Sequence, residues 1–153
     1  MSNSVMIPVL TIRSVELGDC EAVTGLLREV GYPMTCGVMK EVMGTAQEDS
    51  QANMMVAEMD GRVVGVIGMH TAQSLAYPDP AVQITMLVVS GEYRGEGIGK
   101  RLVACGEEWG RAQGCYHLFI TGANNRIKQV EARAFYNRIG FEKQGYRFSK
   151  KLR

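Results

Sequence analysis

The sequence predicts an α/β fold, one mixed sheet with helices, in a single domain spanning residues 1–153. Two observations predict it: segments alternating apolar and polar residues interleave with segments of three-to-four-residue apolar spacing, and no linker, repeat or low-complexity stretch separates them. At 153 residues the chain is long enough to bury a core without disulfide or metal staples.

Each element has its own signal. VLTIRSV (9–15) alternates as a strand does. Asp19 then stands as a helix N-cap before CEAVTGLLREV, where Ala22, Val23, Leu26, Leu27 and Val30 recur at helical spacing until Gly31 ends the run. GYPMTCG (31–37) reads as a loop, followed by a weaker helical run to about Asp49. NMMVAEM, Asp60-Gly61 and RVVGVIGMH form a β-hairpin signature, because Asp-Gly accepts the positive φ angles of a tight turn. SLAYPDPA (74–81) is expected to be a loop, since two prolines cannot serve inside a ladder. VQITMLVV (82–89) reads as a buried strand, and from Ile98 the positions Ile98, Leu102, Cys105 and Trp109 mark a helix that Gly114 closes. CYHLFIT predicts another strand. VEARAFYNRI (130–139) predicts a helix stopped by Gly140, with Phe141 placed for the apolar contact of a Schellman-type cap. YRFSKKL (146–152) completes the order β-α-α-β-β-β-α-β-α-β.

Composition excludes several function classes. Apolar residues at 46% and charged residues at 22% describe a soluble globular protein, and the longest apolar runs, such as Val63 to Met69, are too short to span a bilayer, so no membrane association is expected. The N-terminus lacks the pattern of a secretory signal, which makes the cytoplasm the expected compartment. Net charge is +1 with no basic cluster beyond RFSKKLR, so nucleic acid is not an expected partner. Cys20, Cys36, Cys105, Cys115, His70 and His117 show no ligand spacing; no metal is expected, and the cysteines read as reduced, mostly buried thiols.

The segment with the most chemistry is Arg94-Gly95-Glu96-Gly97-Ile98-Gly99-Lys100, set between a strand and a helix. Unpaired N–H groups of a first helical turn attract phosphate; glycines at alternate positions let a pyrophosphate approach the backbone, and Arg94 and Lys100 can add charge-assisted hydrogen bonds. Counting eliminates two familiar loops. A dinucleotide fingerprint requires glycine at 100 or at 102, where Lys100 and Leu102 stand, and a Walker loop requires glycine at 94 and Ser or Thr at 101, both arginine here.

The remaining pattern, R-x-x-G-x-G after the strand ITMLVV and the lead-in YRG, with AFYNRIGF downstream, resembles the GNAT superfamily of acyl-coenzyme A N-acyltransferases across most of the chain. The resemblance implies a mixed central sheet with helices on both faces, and an N-acetyltransferase moving acetyl from acetyl-coenzyme A, its cosubstrate, directly to a primary amine on a small molecule or a protein. It implies that Leu87, Val88 and Val89 bond the pantetheine through main-chain groups, that Arg94, Gly95, Glu96, Gly97, Ile98, Gly99 and Lys100 hold the pyrophosphate, and that a backbone N–H near Val89 stabilises the oxyanion of amine attack. Tyr136 matches the family's acid, a phenol protonated at neutral pH that can hand its proton to the departing thiolate.

Two family features are missing. Where many relatives carry a strand glutamate as base, this chain has Gln83, Thr85 and Met86; His70, Glu92 and a water relay stay open, and no base is assigned. Where an asparagine often contacts the cofactor, this chain has Gln129, with Asn124 and Asn125 nearby. By resemblance, acceptor choice rests with GYPMTCGVMK and SLAYPDPA, an apolar, methionine-containing surface with Tyr32, Tyr77 and Asp79, and assembly as a homodimer is a family habit. The alternatives are a non-catalytic acyl-coenzyme A sensor, favoured by the missing glutamate, and a nucleotide enzyme, which fits the anion loop but not its glycine spacing.

Overall fold

The computed structural model describes residues 9–74, 77–120, 129–142 and 150–152, in two compact units, 1–122 and 123–153. The first unit holds a five-stranded sheet in the order β1 (Leu10–Ser14), β2 (Ala52–Met59), β3 (Arg62–Ser74), β4 (Tyr77–Val89), β5 (His117–Ile120). The first four strands pair antiparallel and β4 pairs parallel with β5, so the sheet is mixed as expected.

Helices cover both faces. On one side α1 (Cys20–Glu29) and α2 (Cys36–Glu48) bury Val23, Leu26, Leu27, Met39 and Met43 against Met54, Val56, Val66 and Val88. Each such aliphatic side chain contributes about 1.5–3 kcal/mol on burial. On the other side α3 (Ile98–Ala112) lays Ile98 and Leu102 on Val64, Ile67, Met69, Val82 and Ile84. Glycines set the closeness of this contact. A Cβ at Gly110 would stand 2.5 Å from Val82 Cγ2, and one at Gly65 would stand 3.1 Å from Leu102 Cδ1 and 3.3 Å from Ile98 Cγ2.

The hairpin turn is as the sequence predicts, with Asp60 at φ 52° and Gly61 at φ 77°. Three expectations are corrected. Residues 77–80 belong to β4 rather than to a loop; the ladder tolerates Pro78 and Pro80 because a register break between Ala72↔Ala81 and Ser74↔Tyr77 leaves residues 78–80 without partners on β3. Asp19 holds the N-cap position of α1 but makes no side-chain capping bond there: at φ −83°, ψ −2° it closes a short 3-10 turn, Leu17–Asp19, where its carboxylate accepts the Glu16 N–H at 2.8 Å. The same carboxylate takes two hydrogen bonds from Arg13, both 2.8 Å, which hold it below the usual carboxylate range. Cys36 and Gly37 lie inside α2 rather than in the preceding loop, because Thr35 caps that helix by accepting the Val38 N–H at 3.3 Å.

In the second unit α4 spans Gln129–Arg138. Gly140 has φ 98° and closes a Schellman cap, with Phe141 N–H donating to Tyr136 O at 2.9 Å and Gly140 N–H to Asn137 O at 3.3 Å. The predicted last strand falls largely on residues 143–149, outside the described residues.

Candidate active site

β4 ends at Val89 and the chain makes a 3-10 turn, Gly91–Tyr93, before the anion loop. Arg94 is extended, Gly95 sits at φ 83°, and Gly97, at φ 79°, is the N-cap of α3. Both angles lie in the left-handed region that glycine enters without penalty. A Cβ at either position would meet nothing within 4 Å, so the loop faces open space. Gly97 offers no side chain to the first-turn amides, the first intrahelical bond being Arg101 N–H to Gly97 O at 3.1 Å, and the first turn carries no acidic residue. Amides that a capping side chain would otherwise satisfy therefore lie at the mouth of a fifteen-residue helix. Arg94, Glu96 and Lys100 are exposed, whereas Ile98 and Gly99 are buried and anchor the turn.

The strand leading here is irregular. Gly68↔Met86 and Met69↔Ile84 are successive register pairs, so Thr85 is an extra, exposed residue. The bulge exchanges the faces: Val82 and Ile84 face α3, Met86 and Val88 pack toward α1 and α2, and Leu87 and Val89 return to the α3 side. The described pairs with β5 end at Ile84↔Ile120. Leu87, Val88 and Val89 thus spend their side chains on the two cores.

Similarity to known proteins agrees with this geometry. Residues 31–141 match the model of the acetyltransferase (GNAT) family. The chain belongs to the GNAT family. It is 28% identical over 148 residues to an aminoalkylphosphonate N-acetyltransferase of Salmonella typhimurium, covering 96% of this chain and 94% of that one. It is 32% identical over 93 residues to human N-acetyltransferase 8B, covering 61% of this chain but 40% of the human protein. Its fold superposes on glucosamine-6-phosphate N-acetyltransferase of Arabidopsis thaliana with a TM-score of 0.79 at 19% identity, covering 95% and 99% of the two chains. As a GNAT acetyltransferase the chain is an enzyme that transfers acetyl from acetyl-coenzyme A to an amine.

The loop fits a GNAT donor: a Cβ at Gly95 or Gly97 would meet nothing within 4 Å, and no side chain caps the first turn of α3, which suits a pyrophosphate. Tyr136 lies on α4, half-buried, its ring edge-on to Phe135 (centroids 5.5 Å) and to Phe141 (5.8 Å). The cap that ends α4 therefore also holds the tyrosine ring. Of the candidate bases, His70 lies within β3 rather than at its end; it is exposed, registers with Gln83, and its Nδ1 lies 3.1 Å from Thr71 O. Glu92 is exposed, with Arg62 at 3.9 Å, a separation worth little in water. Asp79 and Tyr32 are exposed; Gln129 begins α4, and Asn124 and Asn125 lie outside the described residues.

No metal-ligating cluster occurs among the described residues, and none of their helices is long and apolar enough to cross a membrane. All four cysteines are free. Only Cys20 is fully buried, a correction to the expectation that most are; burial nonetheless pushes the Cys20, Cys105 and Cys115 thiols up, away from the reactive thiolate.

Sequence reasoning missed two contributors. Gly65 seats the first turns of α3, and its only linear signal was an unexplained glycine in a strand. Glu29, the last residue of α1, accepts the Gly91 N–H at 2.8 Å across 62 residues, a contact without local signature. A cavity of about 520 Å³ also opens beside α1, lined by Arg13, Asp19, Glu29, Arg62, Ser90 and Glu92 among others; none of residues 94–100 lines it.

Proposed function

We propose that residues 94–100 bind the pyrophosphate of acetyl-coenzyme A, that main-chain groups of Leu87, Val88 and Val89 orient its pantetheine, and that the acceptor is a small primary amine carrying a phosphonate-like anion. The observation that carries this reading is the uncapped mouth of α3 behind two positive-φ glycines with free space before them. Acetyl-coenzyme A supplies the activated acyl group. The amine nitrogen forms a bond to the carbonyl carbon, the carbon–sulfur bond breaks, and Tyr136 Oη gives its proton to sulfur. The proton lost by the amine leaves through water or a side chain. Because β4 offers no carboxylate at Gln83, Thr85 or Met86, the account rests on backbone amides and Tyr136 rather than on a strand base.

The acceptor class follows from the relative matched over nearly the whole length of both chains, an aminoalkylphosphonate N-acetyltransferase. A single catalytic domain belongs to the same reading, supported by a family match that runs through both compact units, and so does a cytoplasmic location, which four free thiols suit. Thiol release should be followed with acetyl-coenzyme A and paired acceptors, each aminoalkylphosphonate beside the amine of equal length without its phosphonate. Release is expected with the phosphonates and much weaker with their partners. Equal rates would remove the anion from the acceptor class, and no release from any amine would remove the mechanism.

A further inference from the structure

We propose that Glu29 is a positioning residue for the cofactor loop, a latch between the end of α1 and the exit of β4; the idea rests on the pyrophosphate reading of residues 94–100. Where β4 leaves the sheet, two successive amides need acceptors. The Ser90 N–H finds Val64 O on β3 at 2.8 Å. The Gly91 N–H, which points the other way, is met by Glu29 Oε1 at 2.8 Å. Three residues later the anion loop begins, so this bond fixes the base from which Arg94 to Gly97 project.

Two further observations separate a latch from a chance contact. Glu29 occupies the last turn of α1, where the helix dipole disfavours a negative charge, so a compensating donor is needed there. Residue 91 also bears on the carboxylate: a Cβ at Gly91 would stand 2.8 Å from the same Oε1 and so push that flexible side chain aside, although the φ of Gly91 lies outside the left-handed region. The absence of a side chain at 91 thus leaves room for the carboxylate to reach the amide. The neighbouring Arg28 donates through Nε to Met34 O at 2.9 Å, holding the loop between α1 and α2. One helical turn therefore ties down both the segment ahead of α2 and the lead-in to the cofactor loop.

Steady-state kinetics on Glu29→Ala, Glu29→Gln, Gly91→Ala and the double variant Glu29→Ala/Gly91→Ala test the latch. Glu29→Ala should raise KM for acetyl-coenzyme A roughly three- to tenfold, the effect of one charge-assisted hydrogen bond, with kcat and the amine KM nearly unchanged. Glu29→Gln, whose amide oxygen still accepts, should recover most of the loss. Gly91→Ala should mimic Glu29→Ala by displacing the carboxylate, and the double variant should be no worse than either single one. Amide exchange at Gly91 should quicken in Glu29→Ala even if that variant loses stability, giving a readout independent of turnover. Unchanged KM and unchanged Gly91 exchange in Glu29→Ala, while Gly97→Val abolishes coenzyme A binding, would overturn the latch and leave the cofactor reading standing. Undiminished binding in Gly97→Val would remove both.

Discussion

Gly97 separates backbone strain from ligand exclusion. At φ 79°, ψ 12° an alanine pays the left-handed penalty of about 1–2 kcal/mol but meets no atom within 4 Å. Gly97→Ala should therefore lower the thermal midpoint by roughly 2–8 °C for a chain of this size without disturbing the fold. Asparagine tolerates the left-handed region better, so Gly97→Asn should cost less stability than alanine. Coenzyme A affinity should follow a different order. Any side chain here projects into the space before the α3 amides, so both variants should lose about 2–3 kcal/mol of binding, roughly thirty- to two-hundredfold in Kd, and Gly97→Val should lose more. Calorimetric titration with coenzyme A beside thermal unfolding reads both quantities. If affinity fell in proportion to stability, with asparagine nearly normal, the space before Gly97 would not be the pyrophosphate site.

Tyr136→Phe keeps the ring contacts with Phe135 and Phe141 and should lower kcat by about 10²–10³ with coenzyme A affinity retained; full turnover would make Tyr136 structural. Asp19→Asn should cost about 2 kcal/mol at neutral pH by breaking the paired bonds to Arg13. Because the Asp19 carboxyl is depressed in the fold, that stabilisation is complete above the ordinary carboxylate value of about 3.9 and is lost as pH falls through the folded value, so urea midpoints of variant and parent should converge in strong acid. Gly110→Ala should destabilise by about 1–3 kcal/mol, since Val82 is β-branched and cannot swing aside. Gly44→Ala, in the open interior of α2, should instead stabilise by about 0.4–1 kcal/mol.

Local chemistry was legible in the sequence wherever one residue dictates its own backbone. Asp60-Gly61 predicts its turn, and Gly140 and Phe141 their cap. Expectations failed where tertiary partners outweigh a local rule. Asp19 has the chemistry of a helix cap, but Arg13 and the Glu16 amide claim its oxygens; Pro78 and Pro80 argue for a loop, but a bulge removes them from the ladder. The bulge at Thr85, which decides which of Met86, Leu87, Val88 and Val89 faces α3, has no marker in ITMLVV, and the Glu29–Gly91 bond joins residues that no local window contains.

The most direct test of the central claim, that the mouth of α3 holds the donor's diphosphate, is hydrogen exchange of the protein with and without coenzyme A. The account predicts slowed exchange at the amides of residues 95–100, with the cavity beside α1 unaffected. Protection around Gly18, Asp19 and Arg62 with residues 95–100 unchanged would contradict it.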